Sequence, residues 1–378
     1  MTDKTALVLS GGGARGAYQV GVLKGFSEIL KDADIEPPFK ILSGTSAGAI
    51  NTAKLACTDL DFHSAVKELI HLWSNIDTDQ VFKTELINFG KFGLGSLLGS
   101  TKKFNSLLDT APLKKLIEDN CDFGNITKNL ANDLYESVIV TANNYSRNVA
   151  VSFIQTAHRD HEKLIWKESR RQAEKVNIKA DHILASAAIP MLFPPVHIHD
   201  EPYGDGCVRN STPCSPSIRM GANKLFVIGV RSVKPETPMA PKNIHDASMV
   251  RILNTLLNAV LLDSVEQDVI RIQRINQLHD EAKESNPSFK AKNLKKIPAL
   301  CISPSKDIGL LAREKAHHIP RILRMTLSAF GDLDEATEII SYLLFDGDFC
   351  KSLIQMGYED SLNQKKEILA FLNDHSEL

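Results

Sequence analysis

The chain has 378 residues, 43% of them apolar, so it can bury an ordinary core without disulfides or metal, and disorder as its main state is excluded. Its 44 basic and 46 acidic residues leave a net charge of −2, which argues against nucleic acid as a partner. Cys57, Cys121, Cys207, Cys214, Cys301 and Cys350 are widely spaced, form no Cys-x-x-Cys pair and read as free thiols.

Ala6–Leu9 is a short apolar run that stops at Ser10 and three glycines, and a helical pattern follows over Ala14–Leu30. Pro37 and Pro38 break the chain, Phe39–Leu42 reads as a second buried strand, and the small residues of Ala47–Cys57 permit a helix. Phe62, Val66, Leu69, Ile70 and Trp73 mark an amphipathic, core-facing helix. Between Val81 and Phe104, phenylalanines and leucines alternate with Gly90, Gly93, Gly95 and Gly99, a density that disfavours a long helix. Asp109 or Thr110 then caps a helix reaching about Asp119. Ser137–Ala142 and Val149–Ile154 read as neighbouring strands or a hairpin, Ala180–Ala188 as helix, and Val196–Ile198 and Lys224–Val230 as strands. A long helical segment covers about His245–Ala282, Ile297–Ile302 reads as one more strand, and three or four helices fill Ile308–Leu372. Alternating strands and helices imply an α/β fold, a mostly parallel sheet with helices on both faces. The expected division is one α/β domain over 1–232 and a helix-rich region over 233–378 whose strand near 297–302 returns to the sheet.

Gly11, Gly13 and Gly16 satisfy Gly-x-Gly-x-x-Gly between a strand and a helix. Such a loop can cradle a dinucleotide, but the second strand ends at Leu42-Ser43-Gly44 without the acid that would hold the ribose. Alternatively its amides stabilise a transient oxyanion, or it is a tight packing turn. Arg15 in the first helical turn opposes the helix dipole, so it needs an anion: a lipid phosphate, a neighbouring carboxylate or only solvent. Gly44-Thr45-Ser46-Ala47-Gly48 follows the second strand and leads into a helix. That is the spacing of a serine held on a strained elbow with glycines relieving the crowding. His279, His317, His318 and His375 stand in no recognisable strand-end loop. Asp205, in Tyr203-Gly204-Asp205-Gly206-Cys207, is another candidate base, and Asp-Gly is also a common turn pair.

Gly11-Gly12-Gly13-Ala14-Arg15-Gly16, then Gly44-Thr45-Ser46-Ala47-Gly48, then Asp205-Gly206, together resemble the patatin-like phospholipases, as does Ala185-Ser186-Ala187-Ala188-Ile189-Pro190 with Phe193-Pro194-Pro195. The resemblance implies a three-layer α/β sandwich and a Ser46–Asp205 dyad. It also implies an oxyanion hole in the loop of Gly11, Gly12, Gly13, Arg15 and Gly16, and cleavage of phospholipid or lysophospholipid acyl esters without metal or other cofactor. Cys207 departs from the alanine or glycine usual there; a reactive thiol beside the dyad is one consequence to examine. A membrane surface is then a transient partner, and Val81–Phe104 is a candidate lid, against the alternative of a buried loop and helix pair.

The competing functions are a nucleotide-binding module using Gly11–Gly16 and a lipid-binding scaffold without turnover. His197 and His199 share a strand face without further ligands at a metal-site spacing, so no metal is expected. Basic runs at Lys163, Lys167, Arg170, Arg171 and Lys175, and at Lys290, Lys292, Lys295 and Lys296, read as solvated surface or headgroup contacts. No apolar run approaches the roughly 20 residues of a membrane span, and no long apolar region follows Asp3 and Lys4. The expectation is a cytoplasmic chain, peripheral at membranes, without signal peptide or span; leaderless secretion and oligomeric state are left open.

Overall fold

The structure, a computed structural model, describes residues 4–59, 61–84, 106–157, 165–232, 248–261, 263–286, 295–330 and 335–374. Alternation along the strands assigns each side chain to one of two layers. In β1 (Thr5–Leu9), Leu7 and Leu9 enter one core while Ala6 and Val8 enter another. In β2 (Phe39–Thr45), Leu42 and Ile41 divide the same way. A two-stranded ribbon, β3 (Lys83–Thr84) with β4 (Leu108–Asp109), stands apart from the sheet. The sheet continues with β5 (Ser137–Asn144), β6 (Val149–Thr156), β7 (Arg171–Lys175), β8 (Val196–Ile198), β9 (Glu201–Asp205), β10 (Lys224–Ile228) and β11 (Ala299–Ile302).

Its order is β11-β10-β1-β2-β5-β6-β7, with β9 also on β5 and β8 on β9. The run from β11 to β5 is parallel, as is β6 with β7; β5–β6, β5–β9 and β8–β9 are antiparallel. Helices α1 (Gly16–Ala33), α2 (Ala47–Cys57) and α3 (Phe62–Ser74) cover one face. Val265, Val269 and Ile272 of helix Asp263–Ser285 cover the other, completing three layers of a mostly parallel α/β sandwich. Strand β11 pairs in parallel with β10 at the edge of the sheet.

Helix Gly347–Asn363 lies along α1 at backbone distance: a Cβ on Gly21 would overlap the Ile354 carbonyl, and one on Gly357 the Tyr18 carbonyl. The Tyr18 hydroxyl donates to Asp360 Oδ2 at 3.0 Å. Several elements differ from the sequence expectation. Helix α1 starts only at Gly16, after a 3-10 turn over Gly13–Arg15. Thr110 occupies the N-cap of helix Ala111–Asn120, but Asp109 Oδ1 accepts the Ala111 N–H, at 2.9 Å. Helix Gly124–Ala131 and strands β7 and β9 are additions, the expected long helix is the pair Met249–Leu261 and Asp263–Ser285, and among the described residues five α-helices follow β11. Most of the candidate lid, 85–104, lies outside the described residues.

Candidate active site

Strand β2 delivers Ser46 and α2 begins at the next residue, so the chain must turn sharply between them. It does so at Ser46, whose φ of 56° and ψ of −124° place it where side chains rarely sit. A Cβ on Gly44 would overlap the Gly48 carbonyl, and one on Gly48 the Leu9 carbonyl, so neither position accepts even alanine without movement. The Ser46 amide donates to Ser186 Oγ at 2.9 Å, and that hydroxyl donates to the Thr141 carbonyl at 2.6 Å. Asn210 Nδ2 donates to Thr45 Oγ1 at 3.3 Å.

Sheet register brings Asp205 to this turn. Thr45 pairs with Thr141 across β2–β5, and the next residue of β5, Ala142, pairs with Asp205 at the end of β9. Asp205 is thus a strand-end residue followed by a 3-10 turn over Gly206–Val208, not the corner of a hairpin. Gly206 lies where a Cβ would overlap the Thr141 carbonyl, and the Asp205 amide donates to the Ala188 carbonyl at 2.8 Å. The segment Ala185–Ala188 therefore holds both partners, through Ser186 on one side and Ala188 on the other.

Asp205 is fully buried. Burial pushes its carboxyl up from the ordinary 3.8 to about 6, and the neighbouring Ser46 hydroxyl, with the Cys207 amide and thiol, acts in the opposite direction. Oδ1 accepts the Cys207 N–H at 2.9 Å. Oδ2 has no aligned hydrogen-bond partner among the described residues, so the Ser46 hydroxyl is close enough to favour the charge without being aligned to donate. Burial, reinforced by the Asp205 charge, holds the Cys207 thiol well above its ordinary pKa, so Cys207 is a protonated, packed side chain and not a reactive thiolate. The six cysteines form no disulfide.

The glycine loop closes the site from β1. A Cβ on Gly11 would overlap Cys207 Sγ and lie 2.9 Å from Ser46 Cβ, which sets the loop directly against the elbow. Gly13, at φ 57°, sits beneath the Tyr342 carbonyl with no room for a side chain. The amides of Gly12 and Gly13 take no backbone acceptor among the described residues. Those further along are committed: the Arg15 N–H donates to the Gly12 carbonyl at 3.1 Å, and the Gly16 N–H to the carbonyls of Ala14 and Gly13. Gly16 instead packs against Ala47 and Trp73. The anion that meets Arg15 is a neighbouring carboxylate, Glu338, in a partly buried ion pair.

A buried polar chain braces loop to elbow. Gln19 Nε2 donates to the Ser10 carbonyl at 2.7 Å, Asn51 Nδ2 to Gln19 Oε1 at 2.9 Å, and Trp73 Nε1 to Asn51 Oδ1 at 2.7 Å. Ser10, Gly11, Thr45, Cys207, Asn210 and Leu261 line a small cleft beside Ser46 and Asp205. Ser46 itself is only 3% exposed, so the described arrangement is closed.

The other candidates lie elsewhere. His199 is not on a strand face with His197: with Asp200 it forms the two-residue turn between β8 and β9, both at positive φ. His318 faces Asp346 at 2.9 Å, and among the described residues no histidine is a partner of Ser46 or Asp205. Of the basic runs, Arg171 pairs with Glu168 at 2.9 Å and Lys296 with Asp280 at 2.7 Å, while Lys163, Lys290 and Lys292 lie outside the described residues. Ser186 is the site residue that residue-by-residue reasoning missed. Its signal was the small-residue segment Ala185–Ala188 just upstream of the aspartate.

A mostly parallel three-layer sandwich with a serine on a strand-to-helix elbow and a buried aspartate beside it defines a class of α/β proteins built around a strand-end crevice. The family model for patatin-like phospholipase matches residues 7–218, more than half of the chain, and the protein belongs to that family. No curated protein sequence matches it. Solved structures similar to it include VipD from Legionella pneumophila, at 12% identity and TM-score 0.38, covering 97% of this chain and 67% of that one. The type III effector protein ExoU is 12% identical with TM-score 0.38, over 97% of this chain and 53% of its own. A human GIVD cytosolic phospholipase A2, solved with methyl gamma-linolenyl fluorophosphonate, is 12% identical with TM-score 0.38, over 98% of this chain and 60% of its own. The chain thus spans between about half and two thirds of these structures. Among the described residues, no helix is long and apolar enough to cross a membrane.

Proposed function

We propose that the protein is a lipid acyl hydrolase acting on phospholipids or lysophospholipids through a Ser46–Asp205 dyad. The observation that carries the reading is the register that sets a wholly buried carboxylate beside a strained, glycine-flanked serine. A serine hydroxyl is a poor nucleophile until its proton is removed, and a carboxylate near 4 is a weak base for it. Burial moves Asp205 toward neutrality while leaving it ionised at physiological pH. Ser46 Oγ attacks the ester carbonyl as its proton passes to Asp205. The tetrahedral oxyanion is met by the amides of Gly12 and Gly13, each such donor being worth roughly 2.7–4 kcal/mol in a dry site, while the Gly11 amide faces the Cys207 thiol. Collapse expels the alcohol or lysolipid, which takes the proton. Water, deprotonated by Asp205, then releases the fatty acid from Ser46.

Arg15 and Gly16 are left out of the donor set because their amides are already engaged. The elbow residues Gly44, Thr45, Ala47 and Gly48, with Gly206, shape the turn and its contacts. The protein is expected to meet its substrate at a membrane surface. Mass spectrometry of products released from mixed phospholipids, lysophospholipids and monoacylglycerols tests the reading: free fatty acid is expected from the native chain and none above background from Ser46→Ala. Equal release by both would remove the nucleophile assignment.

A further inference from the structure

A loop of three successive glycines has no side chain by which it can be held, and glycine has the largest backbone freedom of any residue. An oxyanion hole works only if its amides are oriented before reaction. Something outside Gly11–Gly13 must therefore restrain the loop, and the first long side chain available is Arg15.

Arg15 is 2% exposed, and its guanidinium is engaged on all sides. Nε donates to Ser341 Oγ at 2.8 Å, one terminal nitrogen pairs with Glu338, the other reaches the Val230 carbonyl at 3.5 Å, and the group lies 5.0 Å over the Tyr342 ring. Ser341 Oγ donates in turn to the Glu338 carbonyl at 2.6 Å. From the same helix, Thr337–Leu343, the Tyr342 carbonyl abuts Gly13, while Val230 abuts Gly12. Residues 338–342 and Val230 thus grip the loop from its C-terminal side. The grip faces the reacting centre: the Tyr342 hydroxyl is buried without a hydrogen-bond partner among the described residues, and the charges of Arg15 and Glu338, then of Asp205, act on it. This helix lies outside residues 7–218.

We propose that Arg15 and Glu338 are positioning residues, the ion pair between the buried guanidinium and the half-buried carboxylate fixing the Gly11–Gly13 amides over Ser46, so that helix Thr337–Leu343 is part of the hydrolytic machinery. The proposal rests on the reading of Ser46 as nucleophile. Removing the carboxylate leaves the buried Arg15 charge without its partner, and removing Arg15 leaves the loop without its anchor, so loss of either should let the loop relax.

The test uses the full chain with Glu338→Gln, which keeps shape and hydrogen bonding but removes the charge, and Arg15→Ala. Melting temperatures come first, then ester turnover and the rate of fluorophosphonate inactivation, both well below the lowest melting point. For Glu338→Gln a roughly 10- to 100-fold fall in kcat is expected, with KM within about twofold and inactivation slowed in parallel. The acid limb of its pH profile should stay where the native one lies, because Asp205 is untouched, and added guanidinium at low millimolar concentration should restore part of the turnover of Arg15→Ala. A fully folded Glu338→Gln with kcat within about twofold of native would overturn the proposal, as would a loss that only tracks the folded fraction. If Arg15→Ala does not fold, Glu338→Gln decides alone. Ser46→Ala is measured alongside; turnover surviving there sinks the nucleophile reading and the proposal with it, whereas a silent Ser46→Ala beside an unaffected Glu338→Gln sinks the proposal alone.

Discussion

Replacing Asp205 with asparagine should make the protein more stable and inactive at once, and pH gives both effects a magnitude. In the folded chain the carboxyl titrates at about 6 instead of 3.8, because burial disfavours its charge. Between those values the folded protein binds more protons than the unfolded one, so stability falls as pH rises through this window. Above about pH 6 the full penalty is in place, about 3 kcal/mol at 1.36 kcal/mol per pH unit. Asparagine carries no charge at any pH, so Asp205→Asn should gain up to that amount at pH 8 and nothing below pH 3.8. Catalysis should run the opposite way. Native kcat/KM should follow the ionised fraction of Asp205, with an acid limb near pH 6 and about tenfold lower activity at pH 5 than on the plateau. Asp205→Asn should lose roughly a thousandfold at every pH. Continuous ester hydrolysis from pH 4.5 to 8.5, with urea unfolding at pH 5 and 8, reads both. An active Asp205→Asn, or one less stable than native at pH 8, would show that this aspartate is structural and refute the reasoning.

Ser186→Ala removes the acceptor of the Ser46 amide and the donor to Thr141, leaving buried backbone groups unpaired. Unfolding by urea should show a loss of roughly 1–3 kcal/mol, and turnover should drop even where the variant is fully folded. Gly13→Ala meets the Tyr342 carbonyl at a positive φ, so a lowered melting temperature is expected, with slower fluorophosphonate labelling of Ser46. Glu266, whose two oxygens accept no aligned hydrogen bond among the described residues, is pushed by burial from 4.5 up to about 7, against the opposing charges of Arg231 and Arg15. It destabilises the fold progressively as pH rises through that range, and Glu266→Gln should recover up to roughly 3 kcal/mol at pH 8 but little at pH 4.5. A pH-independent effect of Glu266→Gln would contradict the burial argument.

Strands β1, β2, β5, β6 and β10 were legible because each is a run of apolar residues buried on both faces. Strand β7 was not, since Arg171–Lys175 is almost wholly polar and is a strand through its pairing with β6. Strand β9 was hidden by Pro202, Gly204 and the Asp-Gly pair, which read locally as a turn. The elbow was visible in Gly44–Gly48 because its steric requirement is local, and the structure shows which carbonyls impose it. The meeting of Ser46 with Asp205 is not local: it follows from the joint register of β2, β5 and β9, and before the structure only the family resemblance connected the two residues. Arg15 announced its need for an anion through the helix dipole, but its partner Glu338 lies 323 residues away and could not be named from spacing.

The most direct measurement is peptide mapping by mass spectrometry after reaction of the folded protein with an alkyl fluorophosphonate. A single phosphonyl adduct on Ser46, formed far faster in native protein than in Asp205→Asn and absent from Ser46→Ala, is the result expected of a serine activated by that carboxylate. No adduct, or one on another residue at an equal rate in all three proteins, would contradict it.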